Sequence, residues 1–128
     1  MAIPVFHGKA AFNDKNAEAI APYLAEDYSW YQVTPEGPKE MIRGREPTVN
    51  LLKKFYQSDT WVTSDFERLG MVGNILVQVE EDTVLVAGKP VKKVTLNLYE
   101  FRDGKRWREW KFFPSGEGPA GAVPKAGT

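Results

Sequence analysis

The sequence predicts an α+β domain in which a cone-shaped, curved antiparallel sheet wraps around N-terminal helices. Helical patterns dominate the first part of the chain, and four long strand-like runs follow one another in the second part. Short turn sequences separate these runs, as in a meander of antiparallel hairpins. The runs are long for a small domain, which implies a strongly curved sheet whose hollow is the natural place for a pocket.

The N-terminal part contains three helical patterns and one strand pattern. The first helix begins near Pro4, because proline suits the first turn of a helix. The second covers "AEAIAPYLAED", residues 17–27, where Pro22 should kink the helix or split it into two short pieces. A strand, "YSWYQV" at residues 28–33, and a loop, "TPEGPKEMIRGRE", come next. The third helix runs from about Glu46 to Gln57, where apolar residues recur at helical spacing.

The C-terminal part is a succession of strands. They are predicted at "WVTSDFERLGMVG", "NILVQVEEDTVLVAG", "PVKKVTLNLYEF" and "KRWREWKFF", with turns at Gly73-Asn74, Gly88-Lys89 and Asp103-Gly104. Residues 114–128 are almost wholly Gly, Pro, Ala and small polar residues, which bury too little to offset the entropy of ordering them. We therefore expect a single domain over residues 1–113 and a flexible tail over 114–128.

Composition excludes several classes of function. The 17 Lys and Arg residues balance 17 Asp and Glu residues, so no basic excess exists to attract nucleic acid. The chain has no cysteine, hence no disulfide, thiolate nucleophile or sulfur-ligated metal. It has no apolar run of the roughly 18 residues that a membrane helix needs, and its N-terminus does not read as a signal peptide. These features predict a soluble, cytoplasmic protein with no nucleic-acid or membrane partner.

Three stretches resemble the nuclear transport factor 2-like (NTF2-like, cystatin-like) superfamily, in particular its SnoaL-like and ketosteroid isomerase-like branch. They are "AIAPYLAEDYSWY", "IRGREPTVNLLKKFY" and "LYEFRDGKRWREWKFF", and the resemblance covers roughly residues 5–113. It implies a cone-shaped α+β barrel that is commonly a homodimer packed through the outer face of its sheet. Because it is a pattern of spacing and not an invariant motif, it predicts the fold and not the activity.

The isomerase's catalytic positions can be carried over one at a time. The resemblance places its carboxylate base at Gln32, which cannot take up a proton near neutral pH, and its donor tyrosine near Gly8, which has no side chain. Its second donor, a protonated Asp, falls at Asn97, which can donate a hydrogen bond. Steroid isomerisation by that mechanism is therefore not expected. The epoxide-hydrolase branch needs an Arg and two Asp; Glu109 offers one carboxylate, but "VQVEED" offers no matching Arg.

The resemblance also orients the last strand. It points Glu109 into the cone, and strand alternation then points Trp107, Lys111 and Phe113 inward as well. A carboxylate in an apolar cone has a shifted pKa and suits acid–base chemistry. His7, the single histidine, lies on the first helix beside the isomerase's tyrosine position. The predicted catalytic residues are Glu109, His7 and Asn97, and the predicted ligand-binding residues are Trp30, Tyr31, Gln32, Phe55, Tyr56, Trp61, Tyr99, Trp107 and Lys111.

The favoured function is a pocket for a compact, largely apolar organic molecule, with cofactor-independent isomerisation, dehydration or cyclisation if the protein is an enzyme. The alternative is a non-catalytic ligand-binding or dimerisation module, in which Glu109 and Lys111 form a structural ion pair extended by Glu80 or Asp82 and the aromatic residues are plain core. No cofactor is expected. No metal is expected either, because Glu81 points to the opposite face of its strand from Glu80 and Asp82 and no second histidine exists.

Overall fold

The computed structural model describes residues 16–57 and 61–114, with only the backbone of residues 61 and 62. The predicted first helix, which carries His7, and the predicted tail beyond residue 114 lie outside these ranges. The side chain of Trp61 lies outside them too. In the part of the chain that is described, no helix is both long enough and apolar enough to cross a membrane.

The fold is α+β, as predicted; the described residues form one α-helix and two short 3-10 helices against a curled six-stranded sheet. The sheet order is β2-β1-β6-β5-β4-β3. Neighbouring strands are antiparallel except β1 and β6, which are parallel, so the sheet is mixed and not wholly antiparallel as predicted. The elements are 3-10 helices Ala17–Ala19 and Ala21–Tyr23, β1 Leu24–Thr34, β2 Gly37–Arg43, α1 Arg45–Tyr56, β3 Trp61–Val72, β4 Ile75–Val86, β5 Lys89–Arg102 and β6 Lys105–Phe112.

The segment before β1 is where the sequence prediction was only half right. Pro22 splits the predicted second helix into two short pieces, as expected. The residues from Leu24 to Asp27, however, belong to strand β1 and not to that helix. The predicted loop after β1 holds strand β2, which pairs with β1 through a tight hairpin. Pro38 is tolerated there because β2 is an edge strand, where a missing N–H need not break the ladder.

Helix α1 is tied to β1 through Gly44, the residue that precedes the helix. The amide of Gly44 donates to the carbonyl oxygen of Tyr28 at 2.6 Å. The Thr48 hydroxyl donates to the carbonyl oxygen of Gly44 at 2.7 Å, which closes the first turn. Gly44 has a φ of 101°, a conformation that favours glycine. These contacts fix the helix over the buried face of β1, and thereby fix Tyr28.

The buried face of the sheet is apolar in one part and polar in another. One apolar cluster joins the short helices, β1 and α1, and contains Ala17, Ile20, Leu24, Tyr28, Val49 and Tyr56. A second consists of Leu76, Tyr99 and Phe101. Further along the same faces of β4 and β5 the buried residues become polar: Gln78, Glu80, Asp82, Thr95 and Asn97. Polar side chains buried in a row need mutual hydrogen bonds, and this row is where the candidate site lies.

A β-bulge in β6 changes which side chains face inward. Phe101 pairs with Arg106 and Glu100 pairs with Arg108, so Trp107 is an extra residue on β6. Arg106 is buried, with Cζ 3.8 Å from the centroid of the Tyr99 ring. The Trp107 ring instead lies 4.5 Å and 4.1 Å from the guanidinium carbons of Arg102 and Arg108, on the outer face. The prediction that Trp107 shares the inner face with Glu109 was therefore wrong.

Candidate functional site

Glu109 lies on the buried face of β6, as the family pattern predicts. The Tyr28 hydroxyl donates a hydrogen bond to its Oε1 at 2.5 Å. Burial raises the pKa of Glu109 above its ordinary value, and the opposing effects of Lys111, Arg106 and the Tyr28 hydrogen bond do not cancel this rise. Glu109 is therefore a stronger base, when ionised, than a carboxylate in water.

Lys111 is paired with a carboxylate other than Glu109. Its Nζ donates to Oε1 of Glu80 at 3.2 Å, and the two side chains are 16% and 4% exposed. Burial lowers the pKa of Lys111, but the charges of Glu80, Glu109 and Asp82 more than offset that effect and raise it above the ordinary value. Lys111 is thus an ammonium ion at any physiological pH.

Asn97 is fully buried and lies directly across from Lys111 in the β5–β6 ladder. Its Nδ2 donates to Oε1 of Glu80 at 2.7 Å and contacts the hydroxyl oxygen of Tyr99 at 2.9 Å. Glu80 therefore receives donors from both Asn97 and Lys111. Its own burial raises its pKa, but Lys111 and the hydrogen bonds of Asp82, Asn97 and Lys111 outweigh burial and leave the pKa below the ordinary value.

Asp82 completes a buried carboxyl pair with Glu80. The Ser64 hydroxyl donates to Oδ1 of Asp82 at 2.7 Å. Burial, the charge of Glu80 and the hydrogen bond to Glu80 raise the pKa of Asp82 to about 8. At neutral pH Asp82 is thus a neutral acid beside an ionised Glu80. We call Glu80, Asp82, Asn97, Glu109 and Lys111 the polar cluster.

The polar cluster has two levels of exposure. Glu80 and Asn97 are buried, with 3% and 0% of their surface exposed, whereas Glu109 and Lys111 are half-buried. Glu80 accepts hydrogen bonds from both Asn97 and Lys111, so Glu80 positions the Lys111 ammonium. Of these four side chains, Glu109 and Lys111 are the ones that retain exposed surface.

The sheet register brings several of the predicted site residues together. Trp30 is level with Glu109, and Gln32 with Lys111, in the parallel β1–β6 pairing, so both lie on the face of the polar cluster. Tyr99 is opposite Glu109 in the β5–β6 pairing. Tyr56 reaches the cluster from α1; its pKa is raised by burial and by the charges of Glu80 and Asp82. The roles predicted for these residues remain predictions.

Other predicted residues lie elsewhere. Tyr31, predicted to bind the ligand, is on the opposite face of β1 from Trp30, where its ring stacks on Trp110 with centroids 5.8 Å apart, so it does not face Glu109. Trp107 is displaced by the bulge, and Phe55 is exposed on α1. His7 and the Trp61 ring lie outside the described residues.

Sequence reasoning missed two participants, Tyr28 and Arg106, and named Glu80 and Asp82 only as extensions of a structural ion pair between Glu109 and Lys111. Alternation along β4 contains the signal for both acids, because Gln78, Glu80 and Asp82 recur at every second residue. Tyr28 belongs to the predicted strand at residues 28–33, two residues before Trp30, so alternation along that strand contained its signal as well. Arg106 was missed because nothing in the sequence marks the bulge. Across residues 16–57 and 61–114, no group of three or more His, Cys, Asp or Glu side chains is arranged to hold a metal ion.

The sequence profile of the SnoaL-like domain matches residues 7–110. The chain belongs to the SnoaL-like family. No curated protein sequence matches it.

Solved structures give the same fold at low sequence identity. An LEH-like epoxide hydrolase from M. tuberculosis superposes with a TM-score of 0.63 at 18% identity, covering 82% of this chain and 75% of that one. A putative ketosteroid isomerase from Kribbella flavida gives 0.64 at 21%, covering 88% and 76%. IdmH, a putative polyketide cyclase from Streptomyces antibioticus, gives 0.61 at 19%, covering 80% and 84%. At these identities the likeness establishes the shared fold of this SnoaL-like chain and nothing about its reaction.

Proposed function

We propose that this SnoaL-like protein binds a compact, largely apolar organic molecule on the concave side of its sheet and moves a proton within it without a cofactor. Glu109 is the base that takes the proton, and Lys111 holds the negative charge that develops on a ligand oxygen. The reaction class is isomerisation, dehydration or cyclisation. Structural neighbours named as an epoxide hydrolase, a polyketide cyclase and an isomerase support a small-molecule site in this fold.

One observation carries the proposal: Lys111 forms its ion pair with Glu80, and the hydrogen bond to Glu109 comes from the neutral Tyr28 hydroxyl. The charges of Lys111 and Arg106 and this hydrogen bond lower the pKa of Glu109, but by less than burial raises it. The buried location raises the pKa of Glu109 in the direction that favours proton abstraction near neutral pH.

Lys111 provides the complementary half of the chemistry. When a proton is removed from the carbon next to a carbonyl, or when the carbon–oxygen bond of a ring breaks, negative charge develops on the oxygen in the transition state. A fixed ammonium in a water-poor site stabilises such a charge without having to reorient. Trp30, level with Glu109 in the sheet, offers an apolar ring against which a flat ligand can pack.

A non-catalytic ligand-binding module is the second candidate, and one observation favours it. Asn97 and Lys111 both donate hydrogen bonds to Glu80, as they would in a purely structural network. In that case the protein binds apolar molecules but transfers no proton.

A probe that requires only a base separates the two functions. In 5-nitrobenzisoxazole a base removes the proton from the ring carbon, the C–H electrons form the nitrile, and the N–O bond breaks to give a coloured phenolate. We expect saturable turnover by the wild type and a loss of about 100-fold or more in Glu109→Gln. Glu26→Gln, which changes an exposed carboxylate on β1, is the matched control and should leave the rate unchanged.

Binding is followed in the same samples by quenching of tryptophan fluorescence. Equal turnover in the wild type and Glu109→Gln would contradict the assignment of the base. Saturable quenching without turnover in any variant would instead identify the protein as a binding module.

A further inference from the structure

Two acidic side chains lie next to each other behind the candidate site. Glu80 and Asp82 are two residues apart on β4, and both side chains are buried on the same face of that strand. Lys111 bonds to Glu80, whereas the side-chain hydrogen bond to Asp82 comes from the neutral Ser64 hydroxyl. Two buried carboxyl groups beside one ammonium are most stable when only one of them is ionised, because a second charge would be buried without a counter-ion. This arrangement therefore implies one proton on the pair.

The surroundings decide which residue carries this proton. Lys111 on β6 and Asn97 on β5 both donate to Glu80 and stabilise its ionised form. Asp82 receives one neutral donor, Ser64 on β3. The other titratable or charged groups that face Asp82 are Tyr56 on α1 and Lys93, its partner in the β4–β5 register. The proton therefore belongs to Asp82, and Glu80 carries the charge.

We propose that the proton shared by Glu80 and Asp82 positions Lys111, and that its loss withdraws Lys111 from the ligand. This inference rests on the proposed function, in which Lys111 meets a ligand oxygen. Asp82 is then a positioning residue that acts through Glu80, and it makes the site sensitive to pH.

Charge explains the effect on Lys111. With the proton present, the pair has one negative charge, which the single charge of Lys111 balances. Without it, two buried carboxylates face one ammonium, and the second negative charge draws Lys111 towards β4 and away from the ligand side. Burial raises the pKa of Asp82 to about 8, so the change falls just above neutral pH.

The test follows the Lys111 ammonium directly by nitrogen-15 NMR, with Lys111→Arg to assign its resonance. In the wild type we expect the resonance to shift with a midpoint near pH 8. Asp82→Asn keeps an amide donor for Glu80 but cannot ionise, so the shift should disappear. Glu81→Gln, on the opposite face of the same strand, is the matched control and should keep the shift.

Ser64→Ala provides a second variant that does not depend on Asp82→Asn folding. It removes the hydroxyl that stabilises the ionised form of Asp82, so the midpoint should move to higher pH. An unchanged midpoint in Ser64→Ala, a shift that persists in Asp82→Asn, or no shift in the wild type would each overturn the inference.

Turnover of 5-nitrobenzisoxazole is measured alongside. We expect the wild-type rate to fall above the same midpoint and the Asp82→Asn rate to remain level. If Asp82→Asn abolishes the NMR shift but no variant turns over the probe, the shared proton stands and the proposed proton transfer fails.

Discussion

The hydroxyl of Tyr28 donates to Oε1 of Glu109 at 2.5 Å across 81 residues of sequence. This bond favours the ionised form of Glu109, against the effect of burial. Tyr28→Phe should therefore raise the pKa of Glu109 further. The rate of proton transfer should then begin to increase only at a higher pH than in the wild type. The measurement is the pH dependence of 5-nitrobenzisoxazole turnover.

The same substitution should lower the free energy of unfolding by about 1–3 kcal/mol, because it leaves a buried acceptor without its donor. Tyr31→Phe is the control, since Tyr31 lies on the other face of β1. If both variants move the pH profile equally, the Tyr28 hydrogen bond is not the cause.

The Glu80–Lys111 pair gives a prediction about stability. Lys111→Met leaves the charge of Glu80 buried without its ammonium, which should cost about 3–5 kcal/mol in the free energy of unfolding. Adding Glu80→Gln removes that charge and should recover most of the loss. Urea unfolding of both single variants and the double variant measures the coupling; additive effects would show that the two side chains act independently.

Asp82 should make the free energy of unfolding fall as the pH rises. Its pKa is about 8 in the folded protein and 3.8 ordinarily, so between these values the folded protein holds a proton that the unfolded chain has released. The stabilisation that this bound proton provides is fully present below pH 3.8 and is lost as the pH rises through about 8. The slope from this group is at most about 1.4 kcal/mol per pH unit.

Asp82→Asn removes this titration, so its stability should depend less on pH over the same window. The raised pKa of Glu109 contributes with the same sign and is retained in the variant, so a residual slope is expected. Urea unfolding at a series of pH values gives both slopes. Parallel slopes for the wild type and Asp82→Asn would mean that Asp82 does not hold the proton.

The sequence predicted the elements whose patterns are local. Helix α1 lies within one residue of its predicted bounds, and the four C-terminal strands fall where alternation and turn residues placed them. The family resemblance placed Asn97 and Glu109 on the buried face, where both lie. Non-local pairing was beyond such reasoning: β2 is a short polar edge strand, and the parallel contact of β1 with β6 joins the two ends of the domain.

The wrong predictions for Trp107 and for the partner of Lys111 both concern how neighbouring strands are aligned and ordered in the sheet. One extra residue in β6 turned Trp107 outward and placed Arg106 inside. The partner of Lys111 was likewise set by the neighbouring strands: β5 separates β6 from β4, yet the long lysine side chain crosses it to reach Glu80. Predicting that pair requires the sheet order as well as the period of each strand.

The β4–β5 turn offers a test of backbone strain. Ala87 has a φ of 52° and Gly88 a φ of 76°, the conformation that Asn-Gly sequences prefer. An alanine in the left-handed region costs about 1–2 kcal/mol. Ala87→Asn should therefore raise the free energy of unfolding by about 0.5–1 kcal/mol. In the β5–β6 turn, Asp103 and Gly104 adopt the same conformation, which both residues tolerate well. Asp103→Ala should therefore lower the free energy of unfolding.

The outer face of the sheet gives the last prediction. The Tyr31–Trp110 stack and the Trp107 ring against Arg102 and Arg108 form a patch of the residue types that dominate binding energy at protein interfaces. A homodimer through this face, which the family resemblance implies, remains a prediction. Trp110→Glu would place a charge in the centre of that contact and should weaken the dimer by about 30-fold or more, whereas Trp110→Phe should retain most of it. Sedimentation equilibrium measures both, and a wild type that stays monomeric at all concentrations, or a Trp110→Glu variant that dimerises as well as the wild type, would exclude this face as the contact.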